Sequence, residues 1–331
     1  MIDVDKIFAA FENLNVLIVG DVMIDRYLTG KVDRISPEAP VPVVQLFHSD
    51  NRLGGAANVA LNVQAMGAKA HLCSVVGKDE NAEIFLNLMP KEGLNALNIL
   101  QSEERRTTVK TRVIASNQHL LRVDTEDTHE LSTKETKRFL DLIISFLDQQ
   151  KIDVILFQDY NKGVLTEELI EAICSEAMKR NIPTAVDPKK DNFFAYQKTT
   201  LFKPNLKEVR EALPFSIDPD LVSLQKASDY LRKKLNHQNT LITLSERGIF
   251  ADNGKDSHIL PTQPRNITDV CGAGDTVISI AALGLALAID LKDIATLTNL
   301  AGGQVCEKVG VVPVDKVQLK EEYEKLIINQ A

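Results

Sequence analysis

Short apolar runs rich in β-branched residues alternate along this chain with longer segments of helical periodicity. The runs predict core strands and the segments between them predict helices. Strands are predicted at 16–19, 70–76, 154–157, 184–186, 200–202 and 240–244, and helices at 80–91, 134–149, 167–180 and 219–235. This alternation predicts an α/β fold in which helices cover both faces of a mainly parallel sheet.

Two regions depart from this pattern. Residues 27–47 and 107–123 show the alternation of strands with at most one buried face. They are either ordinary edge strands or a small accessory sheet of the kind that serves as a lid or a dimer surface. The last third, 273–289 and 292–308, reads as two helices rich in small residues. We expect residues 1–331 to form a single unit.

Composition narrows the classes of partner and compartment. The chain has 331 residues and a net charge of −8, and no Lys/Arg run exceeds two, which argues against nucleic acid and anionic membranes. Its four cysteines are scattered without a CxxC pair, which argues against disulfides and structural zinc. The longest apolar stretch, 277–289, is shorter than the roughly 20 residues of a membrane span. The N-terminus does not resemble a signal peptide, so we expect a cytoplasmic protein.

The segment from Asp269 to Asp275, read as DVCGAGD, carries the chemistry. Its glycines precede a predicted helix, whose first N–H groups lack partners and attract anions. Gly272, Ala273 and Gly274 would let a ligand approach the backbone, and Asp275 could take a proton from a hydroxyl beside that anion site. The alternative is a helix N-cap in which Asp275 only complements the helix dipole.

Neither a Walker loop nor a GxGxxG fingerprint occurs. The DVCGAGD segment instead resembles the C-terminal signature of the ribokinase family, also called the phosphofructokinase-B family of carbohydrate kinases. Further matches follow in the order of that family at Asp25, Gly54, Gly55, Asn58, Asn205, Glu208, Thr243, Ser245, Gly248 and Asn299.

This resemblance implies a ribokinase-like three-layer fold and the use of ATP and Mg²⁺. Asp275 would be the catalytic base, and the amides of 272–274 would stabilise the transferring phosphoryl group. The sugar site is assigned to Asp25, Gly54, Gly55, Asn58 and Asp269. The ATP site is assigned to Asn205, Glu208, Thr243, Ser245, Gly248, Asn299 and Lys189. Asn205 and Glu208 would also organise Mg²⁺ through water.

Segments 34–43, 117–122, 158–163 and 187–189 resemble heptose-7-phosphate kinases more narrowly, and residue 117 lies outside the residues that the structure describes. The resemblance implies phosphorylation of D-glycero-D-manno-heptose 7-phosphate at O1, on the route to nucleotide-activated heptose for lipopolysaccharide. A phosphorylated acceptor requires cations, for which Lys162, Arg112 and Arg122 are candidates. We also expect a homodimer.

Val270 and Cys271 stand where the family usually has threonines, so activation by potassium is not expected. Cys271 is either a thiol of lowered pKa beside the anion site or a small packing residue. Two other functions stay open: a ribokinase-type kinase for a free pentose, a hexose phosphate or a nucleoside, and a non-catalytic sugar- or nucleotide-binding protein on the same fold.

Overall fold

The computed structural model describes residues 3–115 and 118–330. Its α-helices are α1 Val4–Ala10, α2 Ala56–Ala65, α3 Glu80–Leu88, α4 Thr133–Gln149, α5 Glu167–Arg180, α6 Leu206–Ala212, α7 Leu221–Leu235, α8 Ala273–Ala286, α9 Leu291–Cys306 and α10 Lys316–Gln330. Its strands are β1 Asn15–Gly20, β2 Val22–Ile35, β3 Pro42–Gly55, β4 Lys69–Gly77, β5 Ile99–Ser102, β6 Val109–Ala115, β7 Gln118–Thr125, β8 Val154–Gln158, β9 Thr184–Asp187, β10 Leu201–Phe202, β11 Asn239–Thr243, β12 Ile249–Asp252 and β13 Ser257–Leu260.

The large sheet has the strand order β13-β12-β11-β10-β9-β8-β1-β4-β5. The strands from β11 to β5 run parallel, and β12 and β13 add an antiparallel edge. Chain order reverses around β1, which lies between β4 and β8. Ligands of open parallel sheets bind beyond the carboxyl ends of the strands at such a reversal, so this edge is where a site is expected.

Helices cover both faces of the large sheet. Along β1, Val16 and Ile18 pack into the layer that contains α2, α8 and α9, whereas Leu17 and Val19 pack into the layer of α4, α5 and α7. Successive side chains of a strand point to opposite faces, so a strand covered on both sides must be apolar at every position. The predicted three-layer α/β fold is therefore confirmed.

The small sheet, β3-β2-β6-β7, is built from the two regions that depart from the helical pattern. Strands β2 and β3 form one long antiparallel hairpin, and β6 pairs parallel with β2 and antiparallel with β7. Its register places Asp25 beside Arg52 on β3 and Lys110 on β6. The two alternating segments, far apart in the sequence, thus belong to one sheet.

Several predicted boundaries were wrong for local reasons. The helix predicted at 80–91 ends at Leu88 and continues as the 3-10 turn Met89–Glu92, which contains Pro90. The helix predicted at 273–289 ends at Ala286, because Ala288 has a positive φ of 52°. Strands β5, β12 and β13 are short and were not predicted. Within the described residues no helix combines the length and the apolarity that crossing a membrane requires.

Candidate active site

Asp275 lies in the first turn of α8, at the carboxyl edge of the large sheet, and is 4% exposed. Three side chains donate hydrogen bonds to its carboxylate. The Oδ1 atom accepts from the Tyr160 hydroxyl at 2.6 Å and from Gln158 Nε2 at 3.2 Å, and Oδ2 accepts from Asn58 Nδ2 at 2.8 Å. The carboxylate is thus fixed from both oxygens by residues of β8, the loop after β8, and α2.

Burial raises the pKa of Asp275 to about 6. The hydrogen bonds from Asn58 and Tyr160 oppose this rise, and Asp187 adds to it by charge repulsion. A carboxyl group with a pKa near 6 is ionised at neutral pH and still basic enough to accept a proton, which suits a general base.

The glycine turn before α8 forms as the sequence predicts. Gly272 is the N-cap in the left-handed conformation, with φ at 79°, and no side chain caps the helix. Among the described residues, the N–H groups of Gly274 and Asp275 find no acceptor, whereas Ala273 N donates to Val270 O at a long 3.4 Å. Gly274 is exposed, so unpaired donors at the positive end of the helix dipole face the solvent beside a buried carboxylate.

A second polar cluster lies at the ends of β9 and β10. Lys189 Nζ contacts Glu208 Oε1 at 2.6 Å and Asp187 Oδ1 at 3.5 Å, and the buried Lys203 contacts Asp187 Oδ2 at 3.0 Å. Burial alone would lower the pKa of Lys189, but Asp187 and Glu208 outweigh it and leave this pKa above its ordinary value. Gln158 Nε2 lies 3.4 Å from Asp187 Oδ2 and so links this cluster to Asp275.

Asn205 and Glu208 form a reciprocal capping box at the start of α6. The Asn205 side chain accepts from Glu208 N at 2.9 Å, and Glu208 Oε2 accepts from Asn205 N at 2.8 Å. Asn205 also forms a parallel bridge with Thr243 at the end of β11, so these two residues predicted to bind ATP are adjacent. Glu208 therefore caps α6 and also pairs with Lys189.

Ser245 and Gly248 bound the 3-10 turn that follows β11, and both have positive φ. A Cβ at Gly248 would lie 1.9 Å from Leu260 O, so only glycine fits there. Asn299 on α9 donates to Pro261 O at 2.8 Å and to Leu260 O at 3.4 Å. In this conformation its amide connects α9 to the end of β13, and its predicted place in the ATP site stays a prediction.

On the small sheet, the predicted sugar residue Asp25 is paired with the predicted phosphate residue Arg112. The Arg112 guanidinium also lies over the Tyr27 ring, 5.2 Å from its centroid, and is largely buried. A Cβ at Gly54 would come within 2.2 Å of Asp25 Oδ2, so this glycine makes room for the carboxylate. Gly55 has φ at 62° and turns the chain into α2.

Two lysines, Lys162 and Lys110, lie close enough to influence each other's charge. Lys162 Nζ pairs with Glu126 at 2.8 Å and is mostly buried, and its predicted contact with the acceptor phosphate stays a prediction. Lys110, on the same face of β6 as Arg112, was not predicted. Its ammonium lies 5.5 Å from the centroid of the Tyr160 ring, and it forms no ion pair within the part of the chain that the structure describes. Burial and the charge of Lys162 lower the pKa of Lys110.

Three residues predicted to bind the acceptor have protein partners in this structure. Asn58 is fully buried and its amide holds Asp275, because Asn62 donates to Asn58 O and Oδ1 and thereby orients the amide group. Asp269 accepts from Cys271 N and Gly310 N and so fixes the loop before the glycine turn. Arg122 is 61% exposed and pairs with Asp124.

Four site residues escaped the sequence reasoning: Gln158, Tyr160, Asp187 and Lys203. Each follows or ends a buried parallel strand, and the first three lie within segments that resemble heptose-7-phosphate kinases. Their position at the carboxyl edge was a usable signal. Burial and Asp269 raise the pKa of Cys271 to about 11, which favours a packing residue over a thiol of lowered pKa.

Comparison with known proteins agrees with this geometry. The model of the pfkB family carbohydrate kinases matches residues 13–316. "Bifunctional protein HldE" of Trichlorobacter lovleyi is 42% identical over 96% of this chain, and its counterpart in Geobacter sulfurreducens is 40% identical over 96%. The chain spans 64% of the length of each of these two curated relatives.

Solved structures with the same fold include Escherichia coli phosphofructokinase-2 in complex with potassium, with a TM-score of 0.78 and 18% identity over 95% of this chain and 99% of that one. Arabidopsis thaliana ribokinase complexed with ribose and ATP has a TM-score of 0.71 and 13% identity over 93% of this chain and 99% of that one. Their fold agreement, the family match and the relatives lead to one conclusion: the chain belongs to the pfkB family and is an ATP-dependent carbohydrate kinase.

Proposed function

We propose that this kinase phosphorylates D-glycero-D-manno-heptose 7-phosphate at O1 and so makes the 1,7-bisphosphate for nucleotide-activated heptose. One observation carries the proposal: a buried carboxylate beside unpaired helix N–H groups faces a side of the site that is rich in cations. The similarity to HldE proteins over nearly the whole chain supports the choice of heptose.

Asp275 accepts the proton of the acceptor hydroxyl as that oxygen attacks the γ-phosphorus of ATP. The new O–P bond forms while the bond from the γ-phosphorus to the bridging oxygen breaks, and ADP leaves with that electron pair. The N–H groups of Gly274 and Asp275 hold the charge on the transferring group, because donors already in place need no reorganisation.

On the nucleotide side, Lys189 is held by Asp187 and Glu208 next to Asn205 and Thr243. We infer that Lys189 contacts the ATP phosphates there. Among the described residues no three His, Cys, Asp or Glu side chains are grouped to hold a metal ion. This fits magnesium bound mainly by phosphate and water, with Glu208 or Asp187 as the carboxylate. When bound, the ion neutralises phosphate charge.

On the acceptor side, Asp25 takes sugar hydroxyls, and Arg112, Lys162 and Lys110 take the 7-phosphate. Lys162 and Arg112 are each paired with a carboxylate in this structure, Glu126 and Asp25 respectively. A phosphate dianion would compete for these cations, since charge-assisted hydrogen bonds to phosphate are strong. A sugar without a phosphate has no anionic group that competes for Lys162 and Arg112, so both would keep their carboxylate partners.

We also infer a homodimer. Several apolar side chains of the small sheet are exposed, with Phe47 at 70%, Leu121 at 59% and Leu46 at 51%. Apolar groups of this size gain by leaving water, and a second copy of the small sheet could cover them. Sedimentation analysis of wild type and Phe47→Asp would test this, and a wild-type monomer at assay concentration would contradict it.

The test of function is ADP release from Mg·ATP against heptose 7-phosphate, fructose 6-phosphate, ribose, fructose, a nucleoside and no acceptor. Strong turnover with heptose 7-phosphate alone is expected. Preference for another acceptor would overturn the substrate and keep the kinase. ATP binding without turnover on any acceptor would favour a non-catalytic binding protein.

A further inference from the structure

Of the three side chains that donate to the Asp275 carboxylate, the Tyr160 hydroxyl makes the shortest contact, at 2.6 Å. A phenol can donate only one hydrogen bond, and here it is spent on the carboxylate oxygen Oδ1. The residue lies in the loop after β8, whose backbone is fixed by Asp21: this buried carboxylate accepts from the N–H groups of Tyr160, Lys162 and Val164. These hydrogen bonds fix the backbone of the loop and thereby the position of the Tyr160 side chain.

The two oxygens of Asp275 are not equivalent. A carboxylate oxygen has two lone pairs, and those of Oδ1 are both engaged, by Tyr160 and Gln158. Among the residues that the structure describes, Asn58 alone donates to Oδ2, which leaves one lone pair of this atom without a protein donor there. Asn62 holds Asn58 in turn, which keeps this donor on Oδ2.

From this geometry we propose that Tyr160 is a positioning residue which, with Gln158, engages Oδ1 of Asp275 and leaves Oδ2 as the atom that takes the acceptor proton. The role rests on the proposed function and deepens it. The proton moves from the sugar hydroxyl to Oδ2, the hydroxyl oxygen bonds to the γ-phosphorus, and ADP departs. Asp275 then releases the proton to solvent, while Tyr160 keeps its own.

Tyr160 also keeps the carboxylate ionised, because a donor to a charged group stabilises that charge. Its own pKa lies well above the ordinary value, owing to burial and to the Asp275 charge, so it stays a donor throughout the working range. The groups that face this pair are Asp187 and Lys189 from β9 and its loop, Lys110 and Asp25 from the small sheet, and the neutral Asn58 from α2.

The test is the pH dependence of kcat at saturating substrates for wild type and Tyr160→Phe. We use kcat rather than kcat/KM, because phosphate groups themselves ionise near pH 6. In wild type the acidic limb should lie near the Asp275 pKa of about 6. In Tyr160→Phe the carboxylate loses a donor, its pKa rises, and the limb should move up by about one pH unit. The variant kcat at pH 6 should then be about tenfold lower than its value at pH 8, whereas the wild-type kcat should differ only about twofold between these pH values.

Tyr196→Phe is a matched control, since Tyr196, which is fully buried whereas Tyr160 is half-buried, also donates to a carboxylate, that of Asp159, at 2.7 Å. Its acidic limb should stay in place. Gln158→Met removes the weaker donor to Oδ1 and should shift the limb in the same direction by less. If Tyr160→Phe lowers kcat equally at every pH, raises the acceptor KM without moving the limb, or shifts the limb no more than Tyr196→Phe does, the role is refuted.

A second readout does not need turnover. The Asp275 carboxyl carbon can be titrated by carbon-13 NMR in aspartate-labelled protein and assigned with Asp275→Asn. The same upward shift is expected in Tyr160→Phe, and an unchanged titration would overturn the role. If wild type phosphorylates no acceptor, the proposed function fails, and this titration still decides what Tyr160 does to Asp275.

Discussion

Two buried carboxylates of this protein have similar immediate surroundings: Asp275 at the start of α8, and Asp159 directly after β8. Each accepts a short hydrogen bond from a tyrosine, the half-buried Tyr160 or the fully buried Tyr196, and each accepts two further N–H groups. Burial is the first cause that raises the pKa of each to about 6. Neither a raised pKa nor a set of donors distinguishes them.

What distinguishes them is access. Asp275 opens α8 beside the exposed Gly274 and two N–H groups that have no acceptor among the described residues. Asp159 is instead tied to Asn161, Asn192 and the fully buried Tyr196, and the charge of Asp21 also raises its pKa. One carboxylate can meet a ligand, whereas the other holds a loop. A perturbed pKa identifies a candidate base only together with an approach for substrate.

The largest expected effect is a loss of kcat that distinguishes Asp275 from Asp159. Asp275→Asn should lower kcat by about a hundredfold or more, because the general base is lost while the shape is kept. Asp159→Asn makes the same chemical change at the structural carboxylate and should cost less than about tenfold. Steady-state ADP release measures both, with circular dichroism to verify folding. An unchanged rate for Asp275→Asn would remove Asp275 as the base.

Lys162 lies in the loop that follows β8. Its N–H group donates to Asp21, and its side chain pairs with Glu126. Lys162→Ala should raise KM for a phosphorylated sugar by about tenfold, the loss of one charge-assisted contact, and change KM for ATP less. Lys179→Ala, at an exposed lysine paired within α5, is the control and should change neither constant. Equal effects on both substrates would place Lys162 outside the acceptor site.

The smallest effect concerns stability. Both carboxyls have folded pKa values near 6 and ordinary values of 3.8, so the folded state binds more protons between these limits. Their contribution is present below pH 4 and is lost as pH rises through 6. In Asp159→Asn and in Asp275→Asn, the free energy of unfolding should fall by about 1–2 kcal/mol less over this pH range than it does in wild type. Urea unfolding at pH 4.5 and pH 8 checks this, and a wild-type-like pH dependence in both variants would contradict it.

Much of the fold followed from local pattern. The doubly covered strands are apolar at every position, as 154–157 illustrates, and helices α5 and α7 were predicted almost to the residue because their boundaries carry capping residues, Thr166 and Asp220. The antiparallel edge β12–β13 was missed.

The candidate site was predicted in part. Asp25 and Arg112 were assigned to the acceptor and indeed pair, but Lys110 was overlooked although it alternates with Arg112 along β6. On a strand, residues two apart share a face, so one assignment implied the other. The exposure of Arg122 was not predictable, because the strand pattern does not tell which end of the sheet lies against the protein.

The sequence by itself determined the α/β fold, the carbohydrate kinase family and the carboxylate at the glycine turn, since each depends on short patterns of apolar residues, glycines and acids. The tertiary structure alone decided which polar groups meet that carboxylate. Asn58 and Asp275 are 217 residues apart, and Tyr160 and Asp275 are 115 apart. Their contacts depend on how α2 and the end of β8 pack against α8, and no local pattern encodes distances across a folded core.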